Sequence, residues 1–166
     1  MKTVNDDRLP LTDRALAYEE AFREVDSVLA EEGGEGLDEI AIMATVNSVL
    51  VQRFDYFFWT GFYRVRGKTL VVGPYIGTLG CLLIPFGKGV CGTAAASAET
   101  LVVPDVHDFP GHIACDARSR SEIVVPVFNG KKSLIAVLDV DSDRVAAFDE
   151  VDRRGLEKIC TLFGRF

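Results

Sequence analysis

The sequence predicts an α+β domain, an antiparallel sheet of about six strands with helices packed on it. Three observations carry this. Apolar residues recur with a helical period toward both ends of the chain. Short strand-like runs fill the middle, and two of them are joined to their neighbours by tight turns, at Arg66-Gly67-Lys68 and Asn129-Gly130, which make antiparallel pairs. At 166 residues and 48% hydrophobic, the chain can bury one core and is short for two, because domains usually hold roughly 100–200 residues. One domain over 1–166 follows, with 1–36 as an N-terminal helical segment and 37–166 as the main body.

Between Thr12 and Ala30, apolar residues fall at Ala15, Leu16, Phe22, Val25 and Leu29, a helical spacing with Thr12 or Asp13 as N-cap. Gly33, Gly34 and Gly36 break it, and the period resumes from Leu37 to Val51. From Tyr56 the pattern turns to strands, Tyr56 to Val65 and Thr69 to Tyr75. A short strand from Leu82 to Pro85 leads through Gly87 and Gly89 into a small-residue helix, Val90 to Ala98, and Leu101 to Val103 returns as a strand. Pro104 to Ser119 has neither period and holds both His and three Asp, so it reads as a long loop, a place where function concentrates. Glu122 to Phe128 and Ser133 to Asp141 form a second hairpin, and Phe148 to Phe163 closes the chain as an amphipathic helix.

Composition excludes several classes of function. With 18 basic and 25 acidic residues the net charge is −7, and no stretch gathers Lys and Arg into a stripe for phosphates, so nucleic acid is not an expected partner. Met1 to Pro10 is polar and carries Asp6 and Asp7 where a secretory signal needs a basic start and an apolar stretch. The most apolar runs, Ile123 to Phe128 and Leu134 to Val140, fall far below the roughly 20 residues that span a bilayer. A soluble, cytoplasmic protein without membrane contact is the expectation. In that setting Cys81, Cys91, Cys115 and Cys160 stay reduced, as inert or reactive thiols rather than a disulfide framework.

Three places carry chemistry. Cys115, in Gly111-His112-Ile113-Ala114-Cys115-Asp116, lies in the irregular segment rather than on a periodic apolar face, and His112 or a loop donor can lower its pKa. Asp139 and Asp141 interrupt an aliphatic strand and, spaced by two, project from one sheet face. Asp141 also reads as a strand end in solvent, but Asp139 lies between Leu138 and Val140, and a buried carboxylate requires a cationic or proton-sharing partner, a ligand among them. Glu122 opens the neighbouring strand, either facing solvent or brought across the hairpin toward Asp139. Three converging acids would have raised pKa values, suited to general-acid work and to capture of an ammonium group. The third place is Phe57, Trp59, Gly61 and Tyr63, one face of a strand in which Gly61 leaves a gap between aromatic walls, either plain core or a slot for a methyl or thioether group. His107, His112 and Cys115 have spacings a metal could use, but without a CxxC pair no metal is expected. Gly87 to Gly92 lacks the spacing of a phosphate loop, so no nucleotide is expected either.

Trp59-Thr60-Gly61-Phe62-Tyr63, Gly73-Pro74-Tyr75, Ile84-Pro85, Gly89 to Ala94, Asp105-Val106-His107, Gly111 to Asp116, Ser121 to Val124 and Leu138-Asp139-Val140-Asp141-Ser142 together resemble the free methionine-(R)-sulfoxide reductases, which are GAF-domain enzymes. The likeness runs from about Asn47 to the C-terminus. It implies a GAF-like fold, Cys115 as catalytic cysteine, Cys81 as recycling cysteine and Cys91 in an auxiliary role. It implies further that Glu122, Asp139 and Asp141 bind substrate and handle protons, and that Trp59 and Tyr63 enclose the methyl end. Loop N–H groups near Ile113 and Ala114 would receive the substrate carboxylate. No bound cofactor is implied, only an external thioredoxin-like dithiol reductant, and the family is typically a homodimer with an antioxidant role. Cys81 follows an irregular stretch with two glycines while Cys91 begins a helix, so Cys81 is the expected resolving thiol, with Cys91 as the alternative. Gly80 replaces a usual alanine and Ala136 a common glycine, and Cys160 has no counterpart. The other reading is a non-catalytic GAF sensor of a small molecule or of redox state.

Overall fold

In the computed structural model the described residues are 10–32 and 37–165, so the predicted breakers Gly33, Gly34 and Gly36 and the polar start at 1–9 lie outside them. Among the described residues, four α-helices, α1 (Leu11–Glu32), α2 (Glu39–Arg53), α3 (Gly89–Ser97) and α4 (Glu150–Cys160), accompany six strands. These are β1 (Trp59–Arg66), β2 (Thr69–Ile76), β3 (Leu83–Pro85), β4 (Leu101–Val103), β5 (Ser121–Phe128) and β6 (Leu134–Ser142). They form one antiparallel sheet in the order β3-β2-β1-β6-β5-β4. The fold is the expected α+β single domain, and two hairpins are zipped together through the central β1–β6 pair. No helix among the described residues is long and apolar enough to cross a membrane.

Strand alternation divides the interior into two cores. Phe62, Ile123, Val125, Val127, Ala136, Leu138 and Val140 face α1, α2 and α4, while Trp59, Tyr63, Val124 and Val137 face α3 and the segment after β4. A period of two on β5 and β6 is enough to make both faces. Two prolines are tolerated because of where pairing stops. Pro74 lies beyond the part of β2 paired with β3, at a register shift on β1, where its carbonyl accepts from Asn47 Nδ2 at 2.8 Å. Pro126 lies beyond the three-residue β4.

Several local expectations are corrected. Helix α1 is not capped by Thr12 or Asp13; it starts at Leu11, and the Pro10 carbonyl accepts its first bond, from Arg14 N at 2.9 Å. Strand β1 starts at Trp59, so Phe57 leaves the predicted face and packs with Phe54, Tyr56 and Phe148 in the helix-side core. The long loop contains a 3-10 turn, Val106–Asp108, capped by Asp105. The second hairpin closes through a longer turn, in which Asn129 N donates to the Ser133 carbonyl and Lys132 takes the positive φ. Helix α4 ends at Cys160 and tightens to a 3-10 segment, Thr161–Arg165.

Candidate active site

The sheet register assembles the site. Across β1–β6, Trp59 lies opposite Asp141 and Gly61 opposite Asp139; across β5–β6, Glu122 lies opposite Asp141 and Val124 opposite Asp139. Directly opposed residues share a face, so three acids and the aromatic residues of β1 come together on the α3 side. Glu122 is 5% exposed and Asp139 6%. They floor a cleft enclosing about 510 Å³, its open mouth included, whose walls include Tyr63, Val90, Cys91, His112 and Ile113. No Lys or Arg is among the residues that line it.

The floor is under electrostatic stress. Burial, then the neighbouring acids, pushes the Glu122 and Asp139 carboxyls well above the usual range, and burial lifts Asp141 to about 6 despite a hydrogen bond from the Ser119 hydroxyl. Three carboxyls this close share protons as a set, not as three independent groups. Asp139 Oδ1 is buried without a hydrogen-bond partner. Cys91, in the first turn of α3, places Sγ 3.8 Å from Glu122 Oε1, and burial followed by the charges of Asp139 and Glu122 drives its thiol pKa up. On the other side, His112 Nε2 lies 3.7 Å from Glu122 Oε2, and burial favours its neutral form.

One wall is aromatic. Trp59 stacks between Tyr63, at 5.8 Å, and Tyr75, at 5.1 Å, and its Nε1 donates to the Thr78 carbonyl at 2.9 Å. The predicted gap at Gly61 does not exist: a Cβ there would lie 2.7 Å from the Trp59 ring. Glycine instead lets the indole lie flat across the strand, and the apolar wall is the stack itself.

Two cysteines meet at the mouth. Cys81, on the segment before β3, and Cys115, exposed on the long loop, form a disulfide with Cα atoms 5.3 Å apart, an ordinary separation. Their segments are tied a second time, because Thr78 Oγ1 donates to Asp116 Oδ2 at 2.6 Å. Arg118 in turn donates to Asp116 at 2.9 and 3.1 Å and covers the Phe58 ring at 4.6 Å. These contacts, those from Arg118 first, hold the Asp116 carboxyl well below its usual range. Ile113 lines the cleft over Gly89, whose φ of +61° starts α3. Ala114, a predicted substrate contact, is exposed and outside the lining, because the loop turns it outward between Ile113 and Cys115. His107 is exposed and paired with Asp105, and Cys160 is buried in the helix-side core.

The GAF domain pattern matches residues 13–165. The free methionine-R-sulfoxide reductase of Escherichia coli is 44% identical over 120 residues, 72% of each chain, and GAF domain-containing protein A of Dictyostelium discoideum is 44% identical over 146 residues, 87% of this chain and 89% of that one. The X-ray structure of the free methionine-R-sulfoxide reductase of Neisseria meningitidis, in complex with its substrate, superposes with a TM-score of 0.83 at 43% identity, covering 90% of this chain and 87% of that one. The chain belongs to the GAF-domain family of free methionine-R-sulfoxide reductases.

Within that family fold, Cys115, Cys81, Cys91, Glu122, Asp139, Asp141, Trp59, Tyr63 and Ile113 all line or close one cleft. Thr78, Asp116, Ser119 and Tyr75 also shape it. Thr78 and Ser119 carry no periodic or motif signal, and Asp116 and Tyr75 stand in motifs that resemble the family without a site role of their own being read from them. Ser119 and Asp116 become legible only once the loop is known to fold back over β6, and Tyr75 only once the indole is known to lie flat.

Proposed function

We propose that this chain is a thiol-dependent oxidoreductase that reduces free L-methionine-(R)-sulfoxide to methionine. The observation that carries the reading is the Cys81–Cys115 pair at the mouth of a cleft whose floor is three acids and whose wall is aromatic. The Cys115 thiolate attacks the sulfoxide sulfur while a carboxylic acid of the floor protonates the departing oxygen. Methionine leaves and Cys115 carries the oxygen as a sulfenic acid. The Cys81 thiol displaces it as water to form the disulfide, and an external thioredoxin-like dithiol, itself oxidised, returns both thiols. Two electrons and two protons pass per turnover, with no bound cofactor.

The acids suit a free amino acid. Its ammonium can pair with Glu122, Asp139 or Asp141, whereas a peptide-bound residue offers a neutral amide and leaves buried charge uncompensated. A backbone N–H at Ile113, whose side chain packs over Gly89 at the start of α3, would receive the carboxylate, and the Trp59–Tyr63 wall would cover the methyl group. Working as a homodimer in the cytoplasm belongs to the same proposal. A small-molecule sensor would leave the paired thiols without a role, and a redox sensor would leave the three acids and the aromatic wall without one.

Cys115→Ser is expected to abolish turnover with the fold intact, because a hydroxyl is a poor nucleophile toward sulfur at neutral pH. The assay supplies the free R epimer, the free S epimer and an oxidised peptide with a thioredoxin system. Substantial turnover by the variant, or equal rates on the peptide, would overturn the assignment.

A further inference from the structure

The cleft floor holds a donor set that sulfoxide reduction does not call for as a set: a thiol and two carboxylates, with an imidazole at the rim above them. One ligand atom from each of Cys91, Glu122 and Asp139 lies within 4.8 Å of the others, with Cys91 Sγ 3.8 Å from Glu122 Oε1 and His112 Nε2 3.7 Å from Glu122 Oε2. Zinc bonds of roughly 2.0–2.3 Å in a tetrahedron set donor atoms roughly 3.3–3.7 Å apart. A contraction of a few tenths of an ångström would bring the Cys91–Glu122 edge into that range, while His112 meets the other Glu122 oxygen and stands outside this three-donor set.

A second observation is independent of this spacing. Asp139 is 6% exposed and its Oδ1 has no hydrogen-bond partner, although it lines the cleft. Among the described residues no lysine or arginine lines the cleft to neutralise it, and a buried lone pair left in this state is a place for a cation. The His112 side chain, 16% exposed, stands at the rim where an ion would pass.

We propose that the oxidised protein binds one soft or borderline divalent cation, Zn²⁺ or Cd²⁺, on Cys91, Glu122 and Asp139, and that this ion excludes the substrate ammonium from the same floor. A thiolate beside two carboxylates selects such an ion over Mg²⁺ or Ca²⁺, which require six or more oxygens. Binding takes Cys91 as thiolate and both carboxylates ionised, so the thiol proton and any proton shared by the acids go to solvent. The three negative donors then exceed the ion's charge by one. The competition half of the inference rests on the proposed reductase reading; the binding half does not.

The test uses the untagged protein with the Cys81–Cys115 disulfide intact, which leaves Cys91 and Cys160 as its two unpaired thiols. Cd²⁺ alone is titrated in while the ultraviolet sulfur-to-cadmium absorption and the heat of binding are followed. One ion per chain is expected, with a thiolate band that persists in Cys160→Ser and vanishes in Cys91→Ser. Asp139→Asn and Glu122→Gln, both nearly isosteric, are each expected to weaken binding at least tenfold, which keeps the idea testable if Cys91→Ser does not fold. Added free methionine sulfoxide should weaken the apparent affinity. Absence of the band in the unsubstituted protein, its survival in folded Cys91→Ser, or unchanged affinity in Asp139→Asn would overturn the site. Cadmium binding that methionine sulfoxide does not weaken would overturn the shared floor. A protein that binds Cd²⁺ as described but reduces no sulfoxide would keep this site and sink the proposed function instead.

Discussion

Asp152 and Asp139 are buried carboxylates on opposite faces of one sheet, and their surroundings differ completely. Asp152, 0% exposed, accepts from Arg14 at 2.7 Å, Tyr18 Oη at 2.8 Å, Tyr56 Oη at 2.5 Å and the Asp149 N–H at 2.8 Å. It thereby anchors α1 to α4 and completes the capping box of α4. Asp139 is as deeply placed but faces two more acids and a thiol, with one oxygen unpartnered. Burial alone therefore says nothing about role. A carboxylate whose partners are all supplied by the fold holds the fold together, and one whose partners are withheld is waiting for a proton or a ligand.

The largest effect should come from breaking the satisfied side. Asp152→Asn removes the charge opposite Arg14, whose side chain is 2% exposed, and an uncompensated buried charge costs about 3–5 kcal/mol. Denaturant unfolding should register that loss, while turnover per folded molecule stays near that of the unsubstituted protein. A loss below about 1 kcal/mol would mean that Arg14 finds enough in Asp149, which it also contacts at 2.5 Å.

The same substitution on the other face should do the opposite. Asp139→Asn relieves like-charge crowding, so stability is unchanged or higher. The rate should fall roughly 10²-fold or more if Asp139 delivers the proton. A change confined to KM would make it a substrate-binding group only.

The contrast also locates what the sequence could reveal. Asp139 was legible because a charge between Leu138 and Val140 violates a two-residue period, and its convergence with Glu122 and Asp141 follows from hairpin register alone. Asp152 was not: in α4 it looks like any acid near a helix start, and its burial comes from α1, 138 residues away at Arg14. The helices and both hairpins were legible from periodicity, whereas the end of β1 at Trp59 was not, because Phe57 and Trp59 look equivalent until tertiary packing sends one to each core. Thr78 and Asp116 are likewise joined only by the fold.

Asp141 sharpens the comparison by pH. Its folded pKa is raised from 3.8 to about 6, so the folded state holds a proton that the unfolded chain has already released. Stability from this group is therefore lost as pH rises from about 4 through about 6. Asp141→Asn should be more stable than the unsubstituted protein at pH 7, with the difference vanishing near pH 4 in thermal melts at both values. A variant less stable at pH 7 would show that the hydrogen bond from Ser119 outweighs the cost of burying the charge.

The smallest effect concerns the two unpaired thiols, which repeat the division at lower stakes. Cys160 lies in the helix-side core with Leu156 and Ile159, while Cys91 lies among the acids. Burial first, then the nearby Glu157 charge, raises the Cys160 pKa well above that of an ordinary thiol, so it is protonated and a poor nucleophile at neutral pH. Its separation from the cleft by the sheet leaves it no route to Cys115. Cys160→Ala should thus cost only the packing of one sulfur, about 1 kcal/mol, and leave kcat, KM and repeated cycling with a dithiol unchanged. Turnover that stops after one methionine per chain in this variant would mean that the helix side opens during the reaction, and the division between a structural face and a chemical face would fail.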